Sequence, residues 1–190
     1  MAARLLAGAE QIRIAMLYGN PSAAYLSRLL VGTLEQARKS HVQLIIEQCD
    51  SGQDIHDVFR DLIESGVDGI VLSPPLCDSE EMLKLIEQTD VICVVVANWR
   101  PPGKMSVVQI DDVEAAATMT RHIISLGHKR IGFVKGNPEQ KASVQRLKGF
   151  EMAMAEAGLP VDPALVVHGL FTYRSGLDAA EELLNLPEPP

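Results

Sequence analysis

Cysteine is scarce in this 190-residue chain, which holds only Cys49, Cys77 and Cys93. The count is odd, no CxxC pair occurs and no zinc spacing is present. Neither a disulfide framework nor a thiolate metal site therefore organises the fold. Cys49 and Cys93 fall in apolar strand patterns and read as reduced core thiols. Long apolar runs are also missing: none approaches the ~20 residues a membrane helix needs. The first residues lack the basic start, apolar core and cleavage site of a secretion signal. The cytoplasm is the expected location, and no membrane partner is expected. Basic residues do not dominate either. Lys and Arg number 17 against 25 Asp and Glu, a formal charge of −8, which disfavours nucleic-acid binding over the whole surface. The catalytic signatures are absent: no G-x-S-x-G, no H-E-x-x-H and no phosphate-cradling glycine loop. The first strand is not followed by G-x-G-x-x-G, which argues against a dinucleotide enzyme. No cofactor and no metal are expected.

What is present is an ordinary globular composition, 47% apolar and 22% charged, with length for one sizeable core or two small ones. The chain is organised around Val107-Val108-Gln109-Ile110-Asp111-Asp112. This stretch reads as a short buried strand running into two carboxylates. A helical stripe follows at once: Val113, Ala116, Ala117, Thr120, Ile123 and Ile124. Asp111 and Asp112 thus stand where a strand ends and a helix begins. In open α/β sheets that edge binds ligands, and Asp is equally a favoured helix N-cap.

The same alternation runs along the rest of the chain. Strands are expected at Ile12 to Leu17, Val42 to Ile46, Gly69 to Leu72 and Val91 to Val96. Between them lie helical stripes. The first runs through Leu26, Leu29, Leu30, Thr33, Leu34 and Ala37, the second through Ile55, Phe59 and Leu62, and the third through Met82, Leu83 and Ile86. Asp78 or Ser79 caps the third. Short Val- and Ile-rich strands, apolar on both faces, are what parallel strands covered by helices look like. Five strands and four intervening helices make an α/β, doubly wound parallel sheet. Beyond Ser125 to Arg130, strands at Ile131 to Val134 and Leu165 to Val167 alternate with helices at Ser143 to Ala157 and Ser175 to Leu186. Two strands and two helices are too few to cover a sheet. Either they extend the first sheet or they open a second lobe.

The order of motifs resembles the LacI family of bacterial transcription repressors, and within it the effector-binding part. Ala2 to Gly8 (AARLLAG) is similar to the hinge helix that joins headpiece to core. Asn20-Pro21 before a long helix matches the first ligand loop, and Gly66-Val67-Asp68-Gly69-Ile70 the entry to the third strand. Asp111-Asp112 falls on the family's Asp-Asn or Asp-Asp pair. Leu126-Gly127-His128-Lys129-Arg130-Ile131-Gly132 matches its most recognisable string, and Arg146-Leu147-Lys148-Gly149-Phe150 its arginine-containing helix. Single motifs are weak, but their order over nearly the whole chain is consistent. One departure is Ala97-Asn98-Trp99-Arg100, where many relatives place an Asp-Arg pair.

The resemblance implies a periplasmic-binding-protein-like lobe with the start of a second similar lobe. Residues 1–10 would be a hinge-helix-like segment, 11–127 the N-terminal effector-binding lobe and 128–190 an incomplete C-terminal lobe. It implies a non-enzymatic regulator that binds a small sugar or related metabolite in the cleft between two lobes and forms a homodimer through the first. Operator DNA would be a partner only in a form that carries a helix-turn-helix headpiece, which this chain lacks. Leu6 matches the residue that relatives wedge into the DNA minor groove. A periplasmic-type solute-binding protein and an α/β sugar-modifying enzyme are the alternatives.

Sugar recognition needs paired hydrogen-bonding groups and an apolar face. The strand-end candidates are Asn20, Ser22, Ser73, Asn98 and Asp112. Asn20 and Ser22 could equally cap the first helix, and Ser73, before two prolines, could only shape a turn. In the family the arginine matching Arg146 forks onto sugar hydroxyls, and a guanidinium's fixed donors suit vicinal hydroxyls. The competing role for Arg146 is a salt bridge to Asp112. Trp99 and Phe171 follow strands in loops, where a ring could stack on a pyranose face or plug a lobe edge. His128, Lys129 and Arg130 read as structural.

Overall fold

A computed structural model describes residues 11–19, 22–49, 54–97 and 103–190. Leu6, Asn20, Asn98 and Trp99 lie outside the described residues. The chain divides into two compact units that meet between Val108 and Gln109.

The first unit holds β1 (Arg13–Tyr18), α1 (Ala23–Lys39), β2 (Gln43–Gln48), α2 (Ile55–Glu64) and β3 (Gly69–Leu72). A 3-10 turn (Leu76–Asp78), α3 (Glu80–Glu87), β4 (Ile92–Val96) and β5 (Ser106–Val108) complete it. Its strands are parallel and ordered β2-β1-β3-β4-β5. The order reverses between β1 and β3, the switch point where such sheets open a crevice at their carboxyl ends. The core is Val, Ile and Leu from the strands plus Phe59, Leu62, Met82 and Ile86 from the helices. Each helix starts on a polar oxygen, as capping requires. Ser22 accepts from Tyr25 N, Asp54 from His56 N and Ser79 from Met82 N. All three cysteines are buried, and burial pushes the Cys93 thiol up to about 11.

Two features of this unit differ from the sequence reading. The stretch read as a short buried strand is exposed. β5 ends at Val108, all three of its residues face solvent, and Ile110 is 62% exposed. β5 is the last strand in the described order, so one flank has no neighbour to cover it. α1 has the expected length but buries no residue completely, and Tyr25, Val31 and Leu34 are exposed.

The second unit contains α4 (Asp112–Ser125), β6 (Phe133–Lys135), α5 (Lys141–Glu156), a 3-10 turn (Pro163–Leu165), β7 (Val166–His168) and α6 (Tyr173–Leu184). β6 and β7 form a separate two-stranded parallel sheet, so they do not extend the first. One side carries Ile131, Phe133, Phe150 and Met154 under α4 and α5. The other carries Leu165, Val167, Ala179 and Leu183 under α6. Phe133 and Phe150 stack with ring centroids 4.9 Å apart.

The unit boundary also corrects the division at residues 127 and 128. α4 belongs to the second unit because it packs along α5. Gly149 makes that approach close: any Cβ there would run into the carbonyl of Val113. Ala117 and Thr120 are the α4 residues most buried at this contact.

Charged side chains brace the same pair of helices. Arg121 donates from Nε to Glu156 Oε2 at 2.8 Å and from Nη1 to Glu114 Oε1 at 2.8 Å. Hydrogen bonding to Arg121 holds the Glu156 carboxyl below its ordinary range. Asp162 is held below its range first by the Ala164 N–H and then by Arg130. Arg130 also donates to the Glu188 carbonyl at 2.9 Å, tying the last residues to this unit. Its role is therefore structural. A carboxylate with a depressed folded-state pKa contributes stability above its unfolded value and loses it as pH falls through the folded one. The melting temperature of the second unit should drop as pH falls through and below the ordinary carboxylate range. Glu156→Gln should flatten that drop in thermal melts followed by circular dichroism. An unchanged pH profile would remove Glu156 from the account.

Candidate functional site

Asp111 and Asp112 divide the two roles the sequence left open. Asp111 is the N-cap of α4, and its carboxylate accepts from Glu114 N at 2.9 Å. Asp112, the first helical residue, is only 6% exposed. A buried carboxylate needs a partner, and Arg146 of α5 supplies it: Nε donates to Asp112 Oδ1 at 2.7 Å. The ion pair weighed as an alternative for Arg146 is thus present, and it lies wholly within the second unit. It does not consume the arginine. Its side chain stays 44% exposed, and among the described residues the pairing with Asp112 uses only its Nε donor.

Phe171 completes the arrangement. The Arg146 guanidinium carbon lies 6.0 Å from the Phe171 ring centroid, within cation–π range. The ring is seated by Gly136, where a Cβ would collide with it. Phe171 adopts a φ of 59°, a left-handed backbone that a bulky residue rarely takes. Strain of this kind persists where surrounding contacts hold it, and it clusters at ligand-binding positions. α6 follows immediately, its start fixed by a capping box between Thr172 and Ser175. The second unit therefore brings together a cation, an anion and an aromatic face.

The first-unit candidates sit differently. Ser22 is the α1 cap. Ser73 is fully buried and donates to the Leu17 carbonyl at 2.9 Å, clamping β3 to β1. Its hydroxyl is committed to the sheet. Asn20 and Asn98 fall outside the described residues, so Asp112, Arg146 and Phe171 are the expected residues that the structure assembles.

Three residues near them were not foreseen. Gly136 seats the ring, and Gln140 and Ser143, both buried, stand in the first turn of α5. A signal for this corner existed. Gly-Asn-Pro follows the first strand of each unit, at Gly19 to Pro21 and at Gly136 to Pro138. The second copy marks the β6–α5 loop as the counterpart of the first ligand loop. Among the described residues, no group of three or more His, Cys, Asp or Glu is placed to hold a metal ion. Nor is any helix there long and apolar enough to cross a membrane.

Comparison with known proteins bears on this arrangement. Residues 11–190 match the family model described as periplasmic binding proteins and sugar binding domain of the LacI family. The chain belongs to this family. Catabolite control protein A of Priestia megaterium is a LacI-family match, 29% identical over 191 residues, which cover 99% of this chain and 57% of that protein. The transcriptional repressor CytR of Escherichia coli strain K12 is 30% identical over 168 residues, 87% of this chain and 49% of the repressor. The chain thus spans about half the length of these curated relatives. Among solved structures, the transcriptional regulator CelR in complex with cellobiose aligns with a TM-score of 0.80 at 25% identity. That alignment covers 97% of this chain and 59% of that one. The transcription regulator CcpA of Lactococcus lactis aligns at 0.78 and 23% identity over 92% of this chain and 65% of that one, a likeness in fold. The periplasmic-binding-protein-like α/β architecture expected from the sequence is the family's own.

Proposed function

We propose that this chain is the effector-sensing region of a LacI-family transcriptional regulator and binds a small sugar-like metabolite without transforming it. The observation that carries the reading is the Asp112–Arg146 pair beneath the Phe171 ring. Such a set binds hydroxyls with a fork of donors and an acceptor and covers an apolar sugar face with the ring. It contains no activated nucleophile and no acid–base pair of the kind turnover needs. Regulation would follow from linkage: the effector stabilises whichever arrangement of the protein it binds better. The relatives are regulators, and the cytoplasm is where such a protein would act. Operator DNA would be the partner of a protein carrying a DNA-binding headpiece. The proposal includes a homodimer, supported by the exposed Tyr25, Val31 and Leu34 on α1.

Titration calorimetry on the full chain tests this. The panel is cellobiose, glucose, ribose, glucose 6-phosphate and a purine nucleoside. At least one should bind with a Kd tighter than about 1 mM. The reading fails if none binds. It also fails if a sugar with ATP is turned over and Asp112→Ala abolishes that turnover, which would make the protein an enzyme.

A further inference from the structure

β2 stands at the end of the strand order in its sheet, so among the described residues only β1 pairs with it. Gln43 N donates to the Ile12 carbonyl and Cys49 N to the Tyr18 carbonyl, each at 2.8 Å. Peptide groups alternate in direction along a strand, so those of Leu44 and Ile46 turn away from β1. An open row of this kind is a template for another strand. Natural edge strands are commonly blunted by Lys, Pro or a bulge. β2 reads Gln-Leu-Ile-Ile-Glu-Gln and pairs with β1 without interruption, so it carries none of the three.

Beside this edge lies a groove of about 610 Å³ between β2 and α2. Ile45, Val58 and Leu62 give it an apolar floor, and Glu47, Asp54, Asp57 and Asp61 line its walls. Arg13, opposite Gln43, stands at the amino end. Its guanidinium donates to the Ser65 and Gly66 carbonyls. Arg60 pairs with Asp57 and lies 3.9 Å from Asp61. Four carboxylates against two guanidinia leave the groove negative. All of these residues belong to the first unit, whereas Asp112, Arg146 and Phe171 belong to the second.

Charge and spacing together select the occupant. An extended chain laid along β2 would satisfy the open row and cover the groove. Its side chains alternate, so every second one faces α2, about 6.6 Å from the next. Asp57 and Asp61, four residues apart on a helix, are separated by about 6 Å along its axis. Lys or Arg at alternate positions of the added chain therefore meets both carboxylates. A second copy of β2 fits poorly. It brings another Glu47 and no basic residue, and like charges facing each other destabilise a strand pair. We propose that the outer edge of β2 and the groove beside α2 dock an extended basic segment of another protein, which adds to the sheet as its next strand.

Three end-capped hexapeptides are titrated against the full chain by calorimetry. One alternates Lys and Val, one alternates Glu and Val, and one has three Val followed by three Lys. The alternating Lys peptide should bind with a Kd tighter than about 1 mM, and more weakly as salt rises. The Glu peptide should not bind, and the block peptide should bind about tenfold more weakly or worse. In hydrogen exchange, the Leu44 and Ile46 amides should slow by about tenfold or more when the alternating Lys peptide is bound. Glu47 and Asp61 are exposed, so Glu47→Gln with Asp61→Asn should keep the fold and weaken that peptide by about threefold or more. Lys148→Ala, in the second unit, should leave its affinity unchanged. No binding of the alternating Lys peptide overturns the proposal. Binding without protection of Leu44 and Ile46, or equal binding of the block peptide, is charge attraction alone and overturns it too. Unchanged affinity in the double variant removes the acidic wall and with it the basic occupant. If the same two amides gain protection in the free chain as its concentration rises, a second copy holds the edge and the proposal fails.

Discussion

Arg146→Ala should remove sugar binding from the panel. The substitution deletes a fork of charge-assisted hydrogen bonds, each worth about 1.5–3 kcal/mol to a charged partner. Losing one such bond weakens affinity by about 10- to 150-fold, enough to carry a micromolar ligand out of calorimetric range. It also removes the cation beside the Phe171 ring. A second effect runs through Asp112, which is 6% exposed and loses the Nε donor 2.7 Å away. Stranding a carboxylate of a fully buried pair costs about 3–5 kcal/mol. Arg146 is 44% exposed on its side chain, so solvent screening reduces the expected loss to about 1–3 kcal/mol. Arg146→Lys separates the two effects. It keeps a charge for Asp112 but not the planar fork, so stability should recover while affinity does not. A double-mutant cycle with Asp112→Asn then gives the coupling energy of the pair. Wild-type affinity in Arg146→Ala would mean that the ligand is held elsewhere.

The largest stability effect should come from Phe150→Ala. Phe150 is 1% exposed, stacks on Phe133 and shares a cluster with Ile131 and Met154. Emptying such a site costs about 3–5 kcal/mol. Domains of this size are held by about 5–15 kcal/mol in all, and the second unit rests on two small clusters either side of a two-stranded sheet. The loss should populate an unfolded second unit near room temperature. The first unit has its own core, built from residues between Ala15 and Met105. Hydrogen exchange should therefore show α5, β6 and β7 losing protection while β1, β3 and β4 retain theirs. Equal loss in both units would show that they unfold as one.

The periodicities that set the elements were legible because burial on one face imposes them. The three-and-four spacing of Val113, Ala116, Ala117 and Thr120 predicts α4. The Val- and Ile-rich runs predict β1, β3 and β4. Punctuation was legible for the same local reason. Asp111 and Ser79 cap helices, and Gly66, with a φ of 74°, follows the end of α2. Ile110 misled because an apolar run reads as buried, while exposure depends on whether another strand lies alongside. Ser73 misled in the opposite sense. A serine before two prolines looks like a turn residue, and only strand pairing shows its hydroxyl bonded to Leu17.

Sequence by itself determined the parallel α/β alternation, the caps and the family, since each depends on neighbouring residues and on the order of motifs. It also marked Asp112, Arg146 and Phe171 as the polar and aromatic residues to watch. Tertiary packing decided what they do. Residues 112, 146 and 171 are far apart along the chain and meet only because Gly149 admits α4 against α5 and Gly136 seats the Phe171 ring. The same packing buried Gln140 and Ser143 at the start of α5 without partners. A residue's type fixes which hydrogen bonds it can make, and its surroundings fix which of them remain for a ligand.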